Sequence, residues 1–269
     1  MFVTLPYMHH ALRTAARAAL LILAVPAASA ASAGDGPVLA AFAHPDDERV
    51  VGPLLARLAR EGREVHLVIA TDGSKGVTPH GGIAAGPQLA AARVTESQCA
   101  ADRLGVRKLH MIGLEDGSLG HSMERLAELR TRLAAIVDAV RPEVVVTFGP
   151  EGGTGHPDHR LVGNVTTEIV QGDARRSGIR LFYASLPEER LRAAPQSVPR
   201  VSGVAEALLT VRVPVAPRDV AAGRASFACH ATQYTPAQMD AINRTLAYVW
   251  DGTAWLRPWN GADPAPILP

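Results

Sequence analysis

The chain has 269 residues, of which 47% are hydrophobic and 20% charged. That is enough apolar material for a sizeable core and excludes wholesale disorder. Its 27 basic and 26 acidic residues nearly cancel, which excludes the basic footprint of a nucleic-acid binder.

At the amino terminus, Arg13 and Arg17 precede a short apolar run ended by Pro26, and Ala28-Ser29-Ala30 follows. A positive segment, a short apolar stretch and a small-x-small site predict a signal peptide over residues 1–30. Residues 31–269 are then one domain, secreted or periplasmic. No later stretch is long and apolar enough to span a bilayer. Cys99 and Cys229 are the two cysteines. In an exported chain they form one disulfide or pack as two buried thiols, and both readings stand.

Strands are predicted over 38–43, 64–71, 108–113, 144–149 and 180–185. They are short and lack strict alternation, as parallel strands covered on both faces do. Helical patterns lie between them over 48–60, 89–104, 123–140 and 159–173. Val51, Leu54, Leu55 and Leu58 form an i, i+3, i+4, i+7 stripe, and Leu126, Leu129, Leu133 and Ile136 nearly repeat it. Gly105 sits just past a helix end, where a left-handed cap is wanted. After Pro187 the pattern changes. Residues 188–205 read as a polar loop, 208–215 as a strand, 220–232 and 236–246 as helices, and 250–269 as irregular structure. The fold class is therefore α/β: a Rossmann-like parallel sheet, strand order 3-2-1-4-5, with helices on both faces and a small C-terminal α+β extension.

Two segments carry chemistry. Ala43-His44-Pro45-Asp46-Asp47-Glu48 follows the first strand, and Gly155-His156-Pro157-Asp158-His159 follows the fourth. Both stand where strands of an open α/β sheet end and ligands bind, at the switch in strand order. His44, Asp47 and His159 are candidate metal ligands, a two-His, one-carboxylate set that leaves a position open for water. Asp46 is left over beside the metal, placed to act as general base. His156 is spare as well, a donor to a developing oxyanion or a proton source for a leaving amine, with Asp158 behind it to orient it. Taken singly, Asp-Asp-Glu at a helix start is an ordinary complement to the helix dipole. Two such clusters at the same end of two strands favour a metal. Carboxylates alone suit Ca²⁺ or Mg²⁺, whereas the imidazoles favour zinc or another transition metal.

The pair AHPDDE and GHPDH resembles the PIG-L/LmbE family of zinc-dependent N-acetylglucosaminyl deacetylases. Thr71-Asp72-Gly73, Arg93-Val-Thr-Glu96, Val144–Asp158 and Cys229-His-Ala-Thr-Gln233 fall in the family's order. The resemblance covers about residues 37–235. It implies Zn²⁺ at His44, Asp47 and His159, Asp46 as the base, and His156 with Asp158 as electrostatic partner or acid. It further implies that Arg93 and Asp116 bind sugar hydroxyls. Two departures stand out: Arg49 follows the first motif where a small residue is usual, and Thr154 stands where the mycothiol-pathway member has a Tyr. An exported enzyme does not meet that cytosolic substrate.

The expected function is thus removal of acetyl from an N-acetylglucosamine-type sugar, glycolipid or glycosylated metabolite. The partner is a small N-acetylated sugar compound or glycan, with no nucleic acid and no membrane span; the oligomeric state is open. Rival readings are an amidase acting on a larger amide conjugate and a non-catalytic exported sugar-binding protein. A nucleotide-binding Rossmann protein is disfavoured by the missing Gly-x-Gly-x-x-Gly turn after the first strand.

Overall fold

The computed structural model describes residues 1–2, 36–196 and 201–260. Beyond its first two residues, the predicted leader lies outside them, as do Pro199 and the last nine residues of the tail.

Seven strands form one sheet in the order β3-β2-β1-β4-β5-β7-β6. They are β1 (Val38–Phe42), β2 (Val65–Thr71), β3 (Lys108–Leu114), β4 (Val144–Phe148), β5 (Arg180–Ala184), β6 (Val211–Pro214) and β7 (Thr253–Pro258). The first five are parallel, in the predicted order 3-2-1-4-5. The helices are α1 (Gly52–Arg60), α2 (Pro87–Leu104), α3 (Met123–Val140), the single turn α4 (Gly152–Gly155), α5 (Pro157–Gln171), α6 (Glu188–Ala193), α7 (Pro217–Phe227) and α8 (Pro236–Trp250).

The central strands are apolar throughout because each feeds two cores. In β1, Val38, Ala40 and Phe42 face one core; Leu39, Ala41 and the following Ala43 face the other. Side chains alternate across a strand, so burial on both faces erases the polar half of the pattern. Leu54, Leu55 and Leu58 of α1 pack on the first core, and Leu129, Leu133 and Val137 of α3 on the second. Gly105 caps α2 at φ 72°. Gly163 has a different purpose. A Cβ there would lie 2.2 Å from the Phe148 carbonyl oxygen, so only glycine lets α5 sit this close to the end of β4.

Three expectations change. The helix expected over 48–60 divides into a 3₁₀ turn (Asp47–Val50) and α1, with Val51 at φ −125° between them and Pro53 in the first turn of α1, where its missing N–H costs nothing. The loop expected over 188–205 contains α6. The tail contributes β7, an antiparallel strand inserted between β5 and β6, so the C-terminal extension joins the main sheet. There Leu256 joins the first core, while Trp255 packs with Leu209, Leu246, Val249 and Trp250 in a third. No helix among the described residues is long and apolar enough to cross a membrane.

One titratable pair lies near the amino ends of the strands, away from the motif loops. His66 Nδ1 and His110 Nε2 are 3.0 Å apart. Burial, then the neighbouring charges of His66 and Lys108, push His110 from 6.5 down to about 4. The folded state thus holds this ring neutral while the unfolded chain takes up a proton. Stability is therefore unaffected above pH 6.5 and falls as the pH drops from 6.5 towards 4. His110→Gln is expected to flatten this loss by about 1 kcal/mol at pH 4, a figure discounted for the ring's exposure. Urea melts of both proteins across that range check it; equal slopes reject it.

Candidate active site

Strand order reverses at β1: its neighbours are β2 and β4, and the chain crosses from one side to the other after β3. The loops leaving β1 and β4 therefore open beside each other at the carboxyl edge of the sheet. The end of β1 is fixed by Thr71, whose N–H and hydroxyl both donate to the Ala43 carbonyl at 2.8 Å. The chain then turns sharply at Asp46, which takes φ 109° and ψ −14°. A non-glycine residue rarely occupies this left-handed region, and buried examples cluster at functional sites.

The structure brings His44, Asp47 and His159 together. His159 Nε2 lies 2.9 Å from His44 Nδ1 and 3.1 Å from Asp47 Oδ1, and His44 Nδ1 is 3.7 Å from Asp47 Oδ2. The tautomers follow from the outer partners. His159 Nδ1 donates to the Gly152 carbonyl at 2.8 Å. His44 Nε2 faces Asp116 Oδ1 at 3.2 Å and Asp158 Oδ2 at 3.3 Å. Each ring thus holds its proton on the outer nitrogen and turns a bare nitrogen inward, next to a carboxylate. Acceptors so close together call for a shared proton or a cation. Ligand atoms around tetrahedral zinc lie about 3.3 Å apart, a spacing these distances bracket. The residues fit a Zn²⁺ ion.

Without a cation the charges fall back on protons. Burial opposes protonation of His44, but Asp116, Asp158 and Asp47 outweigh it and raise this imidazole to about 10. Burial would raise Asp47, yet His159 and His44 hold it well below the usual carboxylate range. Burial, with the charges of His44 and His159, keeps His156 below its ordinary value.

Asp46 lies beside this group, 6% exposed. Its Oδ2 accepts from the Tyr234 hydroxyl at 2.5 Å and pairs with the Arg49 guanidinium. Burial raises its pKa despite the Arg49 charge. Arg49, the departure in the first motif, also stacks against Phe227 and Tyr234, at 5.7 and 5.6 Å from their ring centres.

The remaining expected residues divide. His156 sits over His44 with ring centres 4.6 Å apart. Asp158 does not stand behind it. The Asp158 carboxylate turns to His44 and accepts from the Gly117 N–H at 2.9 Å, while its backbone N–H donates to His156 Nδ1. The first turn of α5 aims Asp158 inward and leaves His156 as the helix cap. Asp116 lines the cavity that opens over the cluster, about 960 Å³ in volume. Arg93 does not line it. This side chain is 1% exposed, donates to the Gly76 carbonyl at 2.6 Å, and meets Glu96 at 3.4 Å.

Sequence reasoning missed what holds the first motif in place. His230 meets Glu48 at 2.7 Å with both side chains buried, and the Gln233 amide donates to the Pro45 carbonyl at 2.7 Å. Glu96 in turn accepts from Thr232 N–H and hydroxyl at 2.5 and 2.9 Å. The segment from Cys229 to Tyr234 thus clasps the first motif, and a Cys99–Cys229 disulfide ties it to α2. His and Gln at this spacing were visible in sequence, but their partners 182 and 188 residues away were not. Cys99→Ser is expected to lower unfolding free energy by about 2–4 kcal/mol, since the bridge closes a loop of 130 residues. Denaturant melts in the absence of reductant read this, and an unchanged midpoint refutes it.

The fold and site define a class: a doubly wound α/β protein with a two-His, one-carboxylate cluster at its switch point and a spare carboxylate beside it. Residues 39–170 match the PIG-L family, described as GlcNAc-PI de-N-acetylase. A 1D-myo-inositol 2-acetamido-2-deoxy-alpha-D-glucopyranoside deacetylase of Mycobacterium sp. (strain KMS) is 30% identical over 252 residues, covering 78% of this chain and 79% of the relative. Its namesake in Nakamurella multipartita is 32% identical over 275 residues, covering 86% and 92%. The chain belongs to the PIG-L family and is an N-deacetylase. Among solved structures, N,N'-diacetylchitobiose deacetylase from Pyrococcus horikoshii superposes with a TM-score of 0.62 at 23% identity, over 84% of each chain. GalB, a 4-carboxy-2-hydroxymuconate hydratase from Pseudomonas putida KT2440, reaches 0.60 at 15% identity, over 83% of this chain and 96% of its own. The fold alone therefore does not fix the reaction.

Proposed function

We propose that the chain is an exported, zinc-dependent hydrolase that removes acetyl from the nitrogen of a GlcNAc-type sugar. The observation carrying this reading is the convergence of His44 Nδ1, His159 Nε2 and the Asp47 carboxylate within 2.9–3.7 Å, with Asp46 alongside. Those three residues would hold Zn²⁺, which when bound supplies polarisation of an amide carbonyl and a water of lowered pKa. The GlcNAc part of the reading leans on the relatives' substrates, and the 960 Å³ cavity accommodates a sugar with an attached group.

The chain's own residues have distinct roles in this reading. The Asp46 carboxylate takes the proton from the attacking water and returns it to the departing amine. Arg49 and Tyr234, both donating to its Oδ2, hold that carboxylate in place. His156 stabilises the negative oxygen that develops on the acyl carbon. Asp158 and Asp116 hold the His44 ring in the tautomer that turns Nδ1 inward. Asp116, at the cavity wall, also accepts from sugar hydroxyls, while Arg93 fixes the Gly76 turn behind it. Export is supported by the Cys99–Cys229 disulfide, a bond that persists in oxidising compartments.

Primary-amine release from N-acetylglucosamine, N,N'-diacetylchitobiose and a GlcNAc-inositol, by the zinc-loaded protein, tests the reading. Release from at least one, abolished by chelation and restored by zinc, is the expected result. Silence across the panel from fully zinc-loaded protein removes the GlcNAc assignment.

A further inference from the structure

Behind the ligand cluster lies a second cavity of about 60 Å³. It shares Asp47, Arg49, Thr154 and His159 with the larger one, and also Val201, Ile242 and Thr245, so the two meet at the candidate metal ligands Asp47 and His159 and along one side of α8. Its inner wall is mainly apolar: Phe148, Leu186, Leu191 and Leu246, brought from β4, the end of β5, α6 and α8. Ser185, Ser202 and Thr245 interrupt it with hydroxyl groups. Ser185 Oγ is buried and has no hydrogen-bond partner.

We propose that this chamber receives the acyl tail of the substrate, so that beside acetyl the enzyme accepts, and turns over faster, aliphatic acyl groups of four to six carbons. The inference rests on the hydrolase reading above and names the acyl side of its substrate. An amide whose carbonyl lies at the ligand cluster presents two ends. The amine carries the sugar and needs the broad, polar, open cavity. The acyl tail is left with the narrow apolar one. A void of 60 Å³ holds roughly four non-hydrogen atoms. Acetyl brings one carbon beyond its carbonyl and leaves most of that space unfilled, at the cost of the missing contacts. Butyryl to hexanoyl fills it. The reaction balances as ordinary hydrolysis: the water oxygen bonds to the acyl carbon, the C–N bond breaks, and the products are a carboxylate and the protonated amine.

Each buried methylene is worth about fourfold in affinity. N-hexanoylglucosamine is therefore expected to exceed N-acetylglucosamine at least tenfold in kcat/KM, and N-decanoylglucosamine to fall back because its tail overruns the chamber. Binding is measured in parallel by calorimetry on zinc-loaded Asp46→Asn protein, which needs no turnover. Ser185→Leu fills the chamber without removing a hydrogen bond, and Leu191→Phe fills it from α6. Either is expected to erase the hexanoyl advantage in both assays and leave acetyl unchanged. Hexanoyl binding no tighter than acetyl, or an advantage surviving both fillings, overturns the proposal. Chain-length-dependent binding without turnover of any compound keeps the chamber and defeats the hydrolase reading. Acetyl turnover with no dependence on chain length does the reverse.

Discussion

Asp46→Asn is expected to keep its full complement of zinc and lose about 10²–10⁴-fold in kcat, the usual contribution of a positioned general base. The separation of these two effects follows from geometry. Asp47, not Asp46, faces the inner nitrogens of His44 and His159, so the neighbouring amide leaves the ligand set whole. The backbone tolerates the exchange too. Asn is among the few residues that accept the left-handed conformation Asp46 occupies at φ 109°. Its carbonyl oxygen can still accept from Tyr234. What disappears is the negative charge opposite Arg49 and the capacity to take a proton. Asp46→Ala is a poorer test, because it leaves the partly buried Arg49 guanidinium without its carboxylate partner and strains the same turn. Metal content by mass spectrometry and steady-state turnover decide the matter. Undiminished turnover removes Asp46 from the mechanism; loss of zinc together with activity makes it a ligand instead.

How much of this was legible in the sequence depends on the distance over which each feature is specified. The parallel core was readable because strands buried on both faces appear as short apolar runs between amphipathic helices, whatever packs on them. β7 was hidden because a six-residue segment that follows Gly252 and ends on Pro258 lies in a Pro- and Trp-rich tail, and its insertion between β5 and β6 is decided by long-range pairing. The same division holds in the site. His44 and Asp47 belong to one tight turn, and His159 to the first turn of α5, so local spacing plus the switch-point rule brings them together. The direction of the Asp158 carboxylate depends on how closely α5 docks at Gly163, and no local pattern states it. Arg93 matched a motif position, yet α2 buries its guanidinium under the Gly76 turn. Tyr234 announced nothing in sequence; it reaches Asp46 across 188 residues because the disulfide and the Glu48–His230 pair fold its segment back onto the first motif.

His159→Ala is expected to abolish stoichiometric zinc binding. Removing a hydrogen-bond partner of a metal-ligating His typically costs 10–100-fold in affinity; removing the ligand itself should exceed the upper end of that range. The consequence is also visible in stability. Zinc at a hundred times its dissociation constant adds about 2.7 kcal/mol to the folded state of the wild type, and the variant should gain almost nothing. The ring is 5% exposed and stacked on Phe148 with ring centres 4.6 Å apart, so the zinc-free variant also loses packing and starts from a lower melting temperature. The comparison that matters is therefore the shift on adding zinc, taken within each protein. His156→Ala supplies the contrast: it removes an imidazole from the same cavity but leaves His44, Asp47 and His159 in place, so zinc should still raise its melting temperature while turnover falls. A full zinc-dependent shift in His159→Ala would exclude this residue as a ligand. The missing ligand would then be sought at His156, whose ring nitrogens come within 4.8 Å of those of His44 and His159.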